Sequence, residues 1–237
     1  MSMLRSCVTP GRLGRVLGLL ATSAAVLTAA LIAGCSQAHV PAVEITPRAE
    51  WADAAPIQDR LVEQTPERLT VHHAGVMDTG DKPGDVKMRG LLHYSLEQKP
   101  WGDVPYHFVI DRNGHIWEGR ALRYAPDTNT GYDVTGHVGI CVNGDLTRQP
   151  LRECQYRALV DLLVKLSAEL NIPDDRIAGH MDYSPGKTDC PGVLEQYIRD
   201  DTLRNDVKAV RAGRSYAFAD KAYDRAALSK VANKSGK

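Results

Sequence analysis

The chain has 237 residues, 43% of them hydrophobic, and its 29 Lys+Arg are balanced by 29 Asp+Glu for a formal net charge of zero. That balance gives no whole-molecule attraction to a polyanion, so nucleic acid is not an expected partner. With residues 1–34 and their three arginines set aside, 26 basic residues face 29 acidic ones; what remains suffices for one well-buried domain plus a tail, not for two domains.

Arg5, Arg12 and Arg15 lead into an apolar run from Val16 to Ala33, which ends in Ile32-Ala33-Gly34-Cys35. A basic start, an apolar middle and small residues before a cut make a secretory signal, here expected over 1–34. The run is marginal as a membrane span and is broken by Gly18, Thr22, Ser23 and Thr28. Its last four residues resemble the lipobox of bacterial lipoproteins. That resemblance implies a lipid on Cys35, a membrane partner through that lipid, and a tether over 35–46. Ser36 implies, for a Gram-negative host, the outer membrane facing the periplasm. Cys141, Cys154 and Cys190 are then an odd set in an exported chain. A Cys141–Cys154 bridge with Cys190 on a metal accounts for them; small buried thiols at 141 and 154 do so equally well.

The domain is expected to begin at Pro47-Arg48-Ala49-Glu50-Trp51, with Trp51 sealing an edge of the core. Leu69-Thr70-Val71-His72-His73-Ala74 reads as a strand. Its period of two puts Leu69, Val71 and His73 on one face and Thr70, His72 and Ala74 on the other. His73 goes with the apolar set, so His72 is the better candidate ligand. Val86, Met88, Leu92 and Leu96 give residues 85–97 helical spacing, and Asn113-Gly114 between two β-rich runs signals a hairpin. Val138–Val142 reads as a buried strand. Residues 151–170 form the clearest helix, with Leu159, Leu162, Leu163, Leu166 and Leu170 on one stripe. A last strand, Arg176–His180, delivers His180 to its end. Interspersed strands and helices predict an α/β fold, a mixed central β-sheet flanked by helices, as a single domain over 47–198. Residues 199–237, with ten Lys+Arg and five Asp+Glu, read as a basic tail, partly helical or disordered.

The stretch from Gly179 to Gly192 sets His180 and Cys190 ten positions apart, with turns at Pro185-Gly186 and Pro191-Gly192. Imidazole and thiolate suit zinc, and His72-His73 offers a third donor. Two histidines and one cysteine leave a fourth tetrahedral position for water, which is the arrangement of a catalytic zinc site and not of a closed structural one.

Taken in order, Pro47–Trp51, Val71-His72-His73, Tyr106-His107-Phe108-Val109-Ile110-Asp111 with Gly114, Glu118-Gly119-Arg120, and Gly179-His180 to Cys190-Pro191-Gly192 resemble the zinc-dependent N-acetylmuramoyl-L-alanine amidases. These share a fold with animal peptidoglycan recognition proteins and small phage amidases, and the resemblance covers 47–198. It implies one zinc ion per chain held by His72, His180 and Cys190, with Tyr106 as catalytic tyrosine. Thr188, where relatives carry lysine or threonine, is assigned to positioning the oxyanion or water. The implied reaction is hydrolysis of the amide between N-acetylmuramic acid and L-alanine in peptidoglycan or muropeptides. The alternative is a non-catalytic muropeptide recognition module, which a serine in place of Cys190 would favour; a zinc peptidase acting within stem peptides keeps the same metal logic. Two departures stand out. The strand that carries a glutamate base in one branch reads Gly139-Ile140-Cys141, and a His-Ala-Gly segment is replaced by Tyr124-Ala125-Pro126 and Gly136-His137. His137, and His93 on the first helix, are candidate substrate-binding residues, and a monomer is expected.

Overall fold

Six short strands form one sheet in the order β1-β4-β3-β5-β2-β6. They are β1 (Ile45–Thr46), β2 (Arg68–His73), β3 (Phe108–Ile110), β4 (Ile116–Glu118), β5 (His137–Val142) and β6 (Ile177–Gly179). In this computed structural model the described residues are 38–232; the expected signal, the lipid site Cys35 and the last five residues of the tail lie outside them. β3, β5, β2 and β6 run parallel, β4 is antiparallel to β3, and β1 is parallel to β4, so the sheet is mixed. The helices are α1 (Arg48–Trp51), α2 (Gly84–His93), α3 (Glu153–Glu169), α4 (His180–Tyr183), α5 (Leu194–Arg199), α6 (Thr202–Arg211) and α7 (Arg225–Ala232). None among the described residues is long and apolar enough to cross a membrane.

The alternation along β2 sorts the two faces. Leu69 and Val71 join the larger core, with Ile110, Ile140 and the stripe Leu159, Leu162, Leu163 and Leu166 of α3. Full burial of such a side chain is worth about 1.5–3 kcal/mol, so this layer is the main stabiliser. α3 stops where Asn171 turns left-handed (φ 53°) ahead of Pro173. The other face has a thinner cover, in which Trp51, Met88 and Leu92 pack on Val109 and Cys141. α2 runs on into a single π turn, Tyr94–Gln98. The hairpin signal corresponds to β3–β4: Asp111 Oδ1 accepts the N–H groups of Asn113 (2.8 Å) and His115 (3.1 Å), and Gly114 has φ 84°.

Three expectations change. Cys141 lies in the thin layer, whereas Cys154 is exposed on α3 across the sheet, and both are free thiols, so no bridge joins them. The domain starts before residue 47, because β1 pairs with β4. It also runs past 198: Leu203 and Val207 of α6 are wholly buried, and Tyr216, Phe218 and Tyr223 pack against the main core. Tyr197 Oη donates to Ala219 O at 2.6 Å, and Arg211 pairs with Asp174 at 2.7 Å. This segment is a strap, not a loose tail.

Candidate metal centre

Ligands in open α/β sheets bind beyond the carboxyl ends of the strands. Here those ends, of β2, β5 and β6, gather three donors. His72 is the penultimate residue of β2 and pairs in register with Cys141 of β5, on the thinly covered face. β6 ends at Gly179, so His180 opens α4, and Cys190 follows the exposed turn through Pro185-Gly186-Lys187. The donor atoms of His72, His180 and Cys190 all lie within 4.8 Å of one another, and all three residues are buried. Cys190 Sγ is 3.5 Å from His72 Nδ1, and it accepts the His73 backbone N–H at 3.3 Å.

This donor set fits a soft divalent cation. Burial, then the neighbouring His180, holds His72 well below the ordinary histidine range, and burial pushes His180 down to about 4. Both rings are therefore neutral at physiological pH, the state a metal needs. Burial pushes the Cys190 thiol up, so a thiolate there requires a cation beside it. Outer-shell hydrogen bonds orient such ligands. Thr130 Oγ1 stands 2.5 Å from His180 Nε2, with Thr128 Oγ1 at 3.3 Å, and Thr188 Oγ1 accepts the Cys190 N–H at 3.0 Å.

The cluster opens onto a cleft of about 190 Å³ whose walls include Trp101, Tyr106, Asn129, Thr130 and Thr188. The Tyr106 ring lies 5.3 Å from that of His72, and burial raises its phenol well above the ordinary tyrosine range. A second, more apolar hollow of about 570 Å³ runs on from it over α2; Ala74, Trp101, Tyr106 and Asn129 line both. Arg120, buried, braces this region by donating to Val104 O (3.0 Å), Asp103 O (3.0 Å), Ala125 O and Asp127.

His72, Tyr106, His180, Thr188 and Cys190 are thus brought together; the two candidate substrate-binding histidines are not. His93 sits at the surface between Asp53 (3.1 Å) and Glu97 (3.0 Å), which raise its pKa by hydrogen bonding. His137 is 1% exposed, its Nδ1 is 2.7 Å from Thr70 Oγ1, and its ring packs edge-on to Tyr183. Neither is among the residues that line the cleft or the apolar hollow. Lys187 is exposed and lies outside the cleft walls, while His73 accepts the Leu146 N–H through Nδ1 at 3.0 Å. Thr128 and Thr130 were missed: the one available signal is the polar run Asp127–Thr130, in the region where the expected His-Ala-Gly segment is lacking.

A mixed sheet with a His-His-Cys donor set at its strand ends defines the class, an α/β protein whose cleft carries a cluster able to hold a metal ion. The family model described as N-acetylmuramoyl-L-alanine amidase matches residues 63–193, more than half of the chain, and the chain belongs to that family. It is 29% identical over 164 residues to the N-acetylmuramoyl-L-alanine amidase of Homo sapiens, an alignment covering 66% of this chain and 28% of the human protein. The chain thus spans under a third of that relative's length. The fold is that of the amidase LysC of Clostridium intestinale (18% identity, TM-score 0.56, 70% of this chain and 99% of that one). It is likewise that of peptidoglycan recognition protein-LE (22% identity, TM-score 0.57, 66% and 92%).

Proposed function

We propose that the protein is a zinc-dependent N-acetylmuramoyl-L-alanine amidase, cutting the amide between N-acetylmuramic acid and the L-alanine of a stem peptide. The observation that carries this is the complete three-donor set, His72, His180 and Cys190, beside a cleft walled by Tyr106. Zinc held by His72, His180 and Cys190 would supply Lewis acidity for the amide carbonyl and for a water at near-neutral pH. The chain's own groups do the rest. Tyr106 keeps its proton at neutral pH, because burial raises its phenol, so it acts as a hydrogen-bond donor to the oxygen on which negative charge develops. Thr188 holds the Cys190 turn and Thr130 the His180 ring, which fixes the donors around the reacting carbonyl. Trp101 and the apolar hollow over α2 give the rest of the ligand a wall to lie on.

Peptidoglycan as the ligand class is supported by family membership and by recognition protein-LE, whose structure is a complex with monomeric diaminopimelic acid-type peptidoglycan. Ile32-Ala33-Gly34-Cys35 supports lipid attachment to a membrane beside the wall, the outer membrane in a Gram-negative host. The test is mass spectrometry of purified muropeptides incubated with the protein, with chelator and then with restored zinc. Free stem peptide beginning at L-alanine, lost with chelator and regained with zinc, is expected. Intact muropeptides despite bound zinc would replace this reading with a recognition module, and shortened peptides still on the sugar would replace it with a peptidase.

A further inference from the structure

His180 and Cys190 come from separate segments, the β6–α4 junction and the turn before α5, and something must hold those segments at a fixed distance. The residue between them is Glu195, the second of α5, which is completely buried. It lies directly under Gly179, the neighbour of His180. A Cβ on Gly179 would stand 2.0 Å from Glu195 Oε2 and 3.0 Å from Pro191 Cδ, the residue after Cys190. Glu195 Oε1 accepts from Arg199 Nε at 2.6 Å. The same guanidinium donates through Nη2 to Asp182 Oδ1 at 3.3 Å, and Asp182 Oδ2 accepts the Gly179 N–H at 2.9 Å. The circuit closes one residue before His180. Glu195 Oε2 has no hydrogen-bond donor among the described residues. A buried carboxyl group with an unpartnered oxygen costs stability, and an apolar side chain would serve packing better at this position.

We propose that Glu195 is a positioning residue of the metal centre: through Arg199 and Asp182 it ties the His180-bearing junction to the Cys190-bearing turn and sets the spacing of those two donors. The proposal rests on the metal half of the reading above and is independent of which bond is cut.

Zinc affinity by chelator competition and the absorption spectrum of the cobalt(II)-loaded protein read that spacing without turnover. E195A is expected to lower zinc affinity about 10–100-fold, the usual cost of losing an outer-shell partner, and to alter the cobalt d–d and thiolate charge-transfer bands. E195Q keeps the shape and the acceptor for Arg199 and should restore both. The melting temperature of the metal-free protein separates positioning from mere stability. A lowered melting temperature in E195A with wild-type zinc affinity and cobalt spectrum overturns the proposal. Should E195A not fold, R199A opens the same tie from a side chain that touches solvent, and wild-type affinity there overturns it equally. Wild-type protein that binds no zinc removes the metal reading and this inference with it, an outcome told apart because it needs no variant.

Discussion

Tyr106 and His72 face each other across the cleft, and burial drives them in opposite senses that suit opposite tasks: the phenol keeps its proton and the imidazole stays without its second one. Tyr106→Phe is accordingly expected to lower kcat by about 10²–10³, the usual cost of one oxyanion donor, with bound zinc unchanged. Muropeptide turnover alongside metal content checks this; near-full turnover with zinc in place would sink the assigned role. Much at this scale was legible. The period of two along β2 separated His72 from His73, and the turn residues around Pro185 and Pro191 pointed to His180 and Cys190 as a pair. Thr130 was not legible, since it reaches His180 from 50 positions away through a loop without periodicity. The pairing of His137 was hidden for the same reason: its partner Thr70 is 67 positions off on another strand.

Among the elements, the loops flanking the cleft depend on Arg120 at the end of the hairpin. Its removal leaves several buried carbonyls and the Asp127 carboxylate short of a donor. Breaking a buried charge tie of this kind costs about 3–5 kcal/mol, so R120A should lower the urea midpoint with little change in slope. A midpoint within error of wild type would refute it. The strap carries a second expectation. A chain ended at residue 200 exposes the sites that Leu203 and Val207 fill, each worth about 1.5–3 kcal/mol, and should lose at least ~3 kcal/mol in denaturant titration. Undiminished stability would return the strap to the status of a tail. That α6 belongs to the core was hidden in the sequence because its two buried residues are four apart among Arg204, Asp206 and Lys208, a stripe too narrow to stand out. The hairpin, in contrast, announced itself through Asn113-Gly114, where the left-handed backbone is a local demand.

For the whole molecule, buried titratable groups predict a peaked stability curve. Burial pushes His107 and His137 down to about 4 from an ordinary 6.5, so the folded state binds fewer protons there than the unfolded chain. Their contribution is complete above pH 6.5 and is lost as pH falls towards about 4, at about 1.4 kcal/mol per pH unit per group. Glu195 runs the other way. Burial, aided by Asp182, raises it to about 8 from 4.5, so its contribution is complete below pH 4.5 and is lost as pH rises towards about 8. Metal-free protein should therefore be most stable near pH 6–7, with an alkaline limb up to about pH 8 that E195Q abolishes. Urea midpoints from pH 4 to 9 check both statements, and a limb that persists in E195Q would assign it to another group.

The placement of the cysteines has a practical consequence. Among the described residues the three thiols are divided by the sheet: Cys141 and Cys190 are buried on the cleft side, while Cys154 is exposed on α3 behind it. Of these three, Cys154 is the one that a maleimide dye or a thiol-reactive support meets first on the folded protein. Reaction there leaves a molecule labelled or immobilised by its back, with the mouth of the cleft facing the solution.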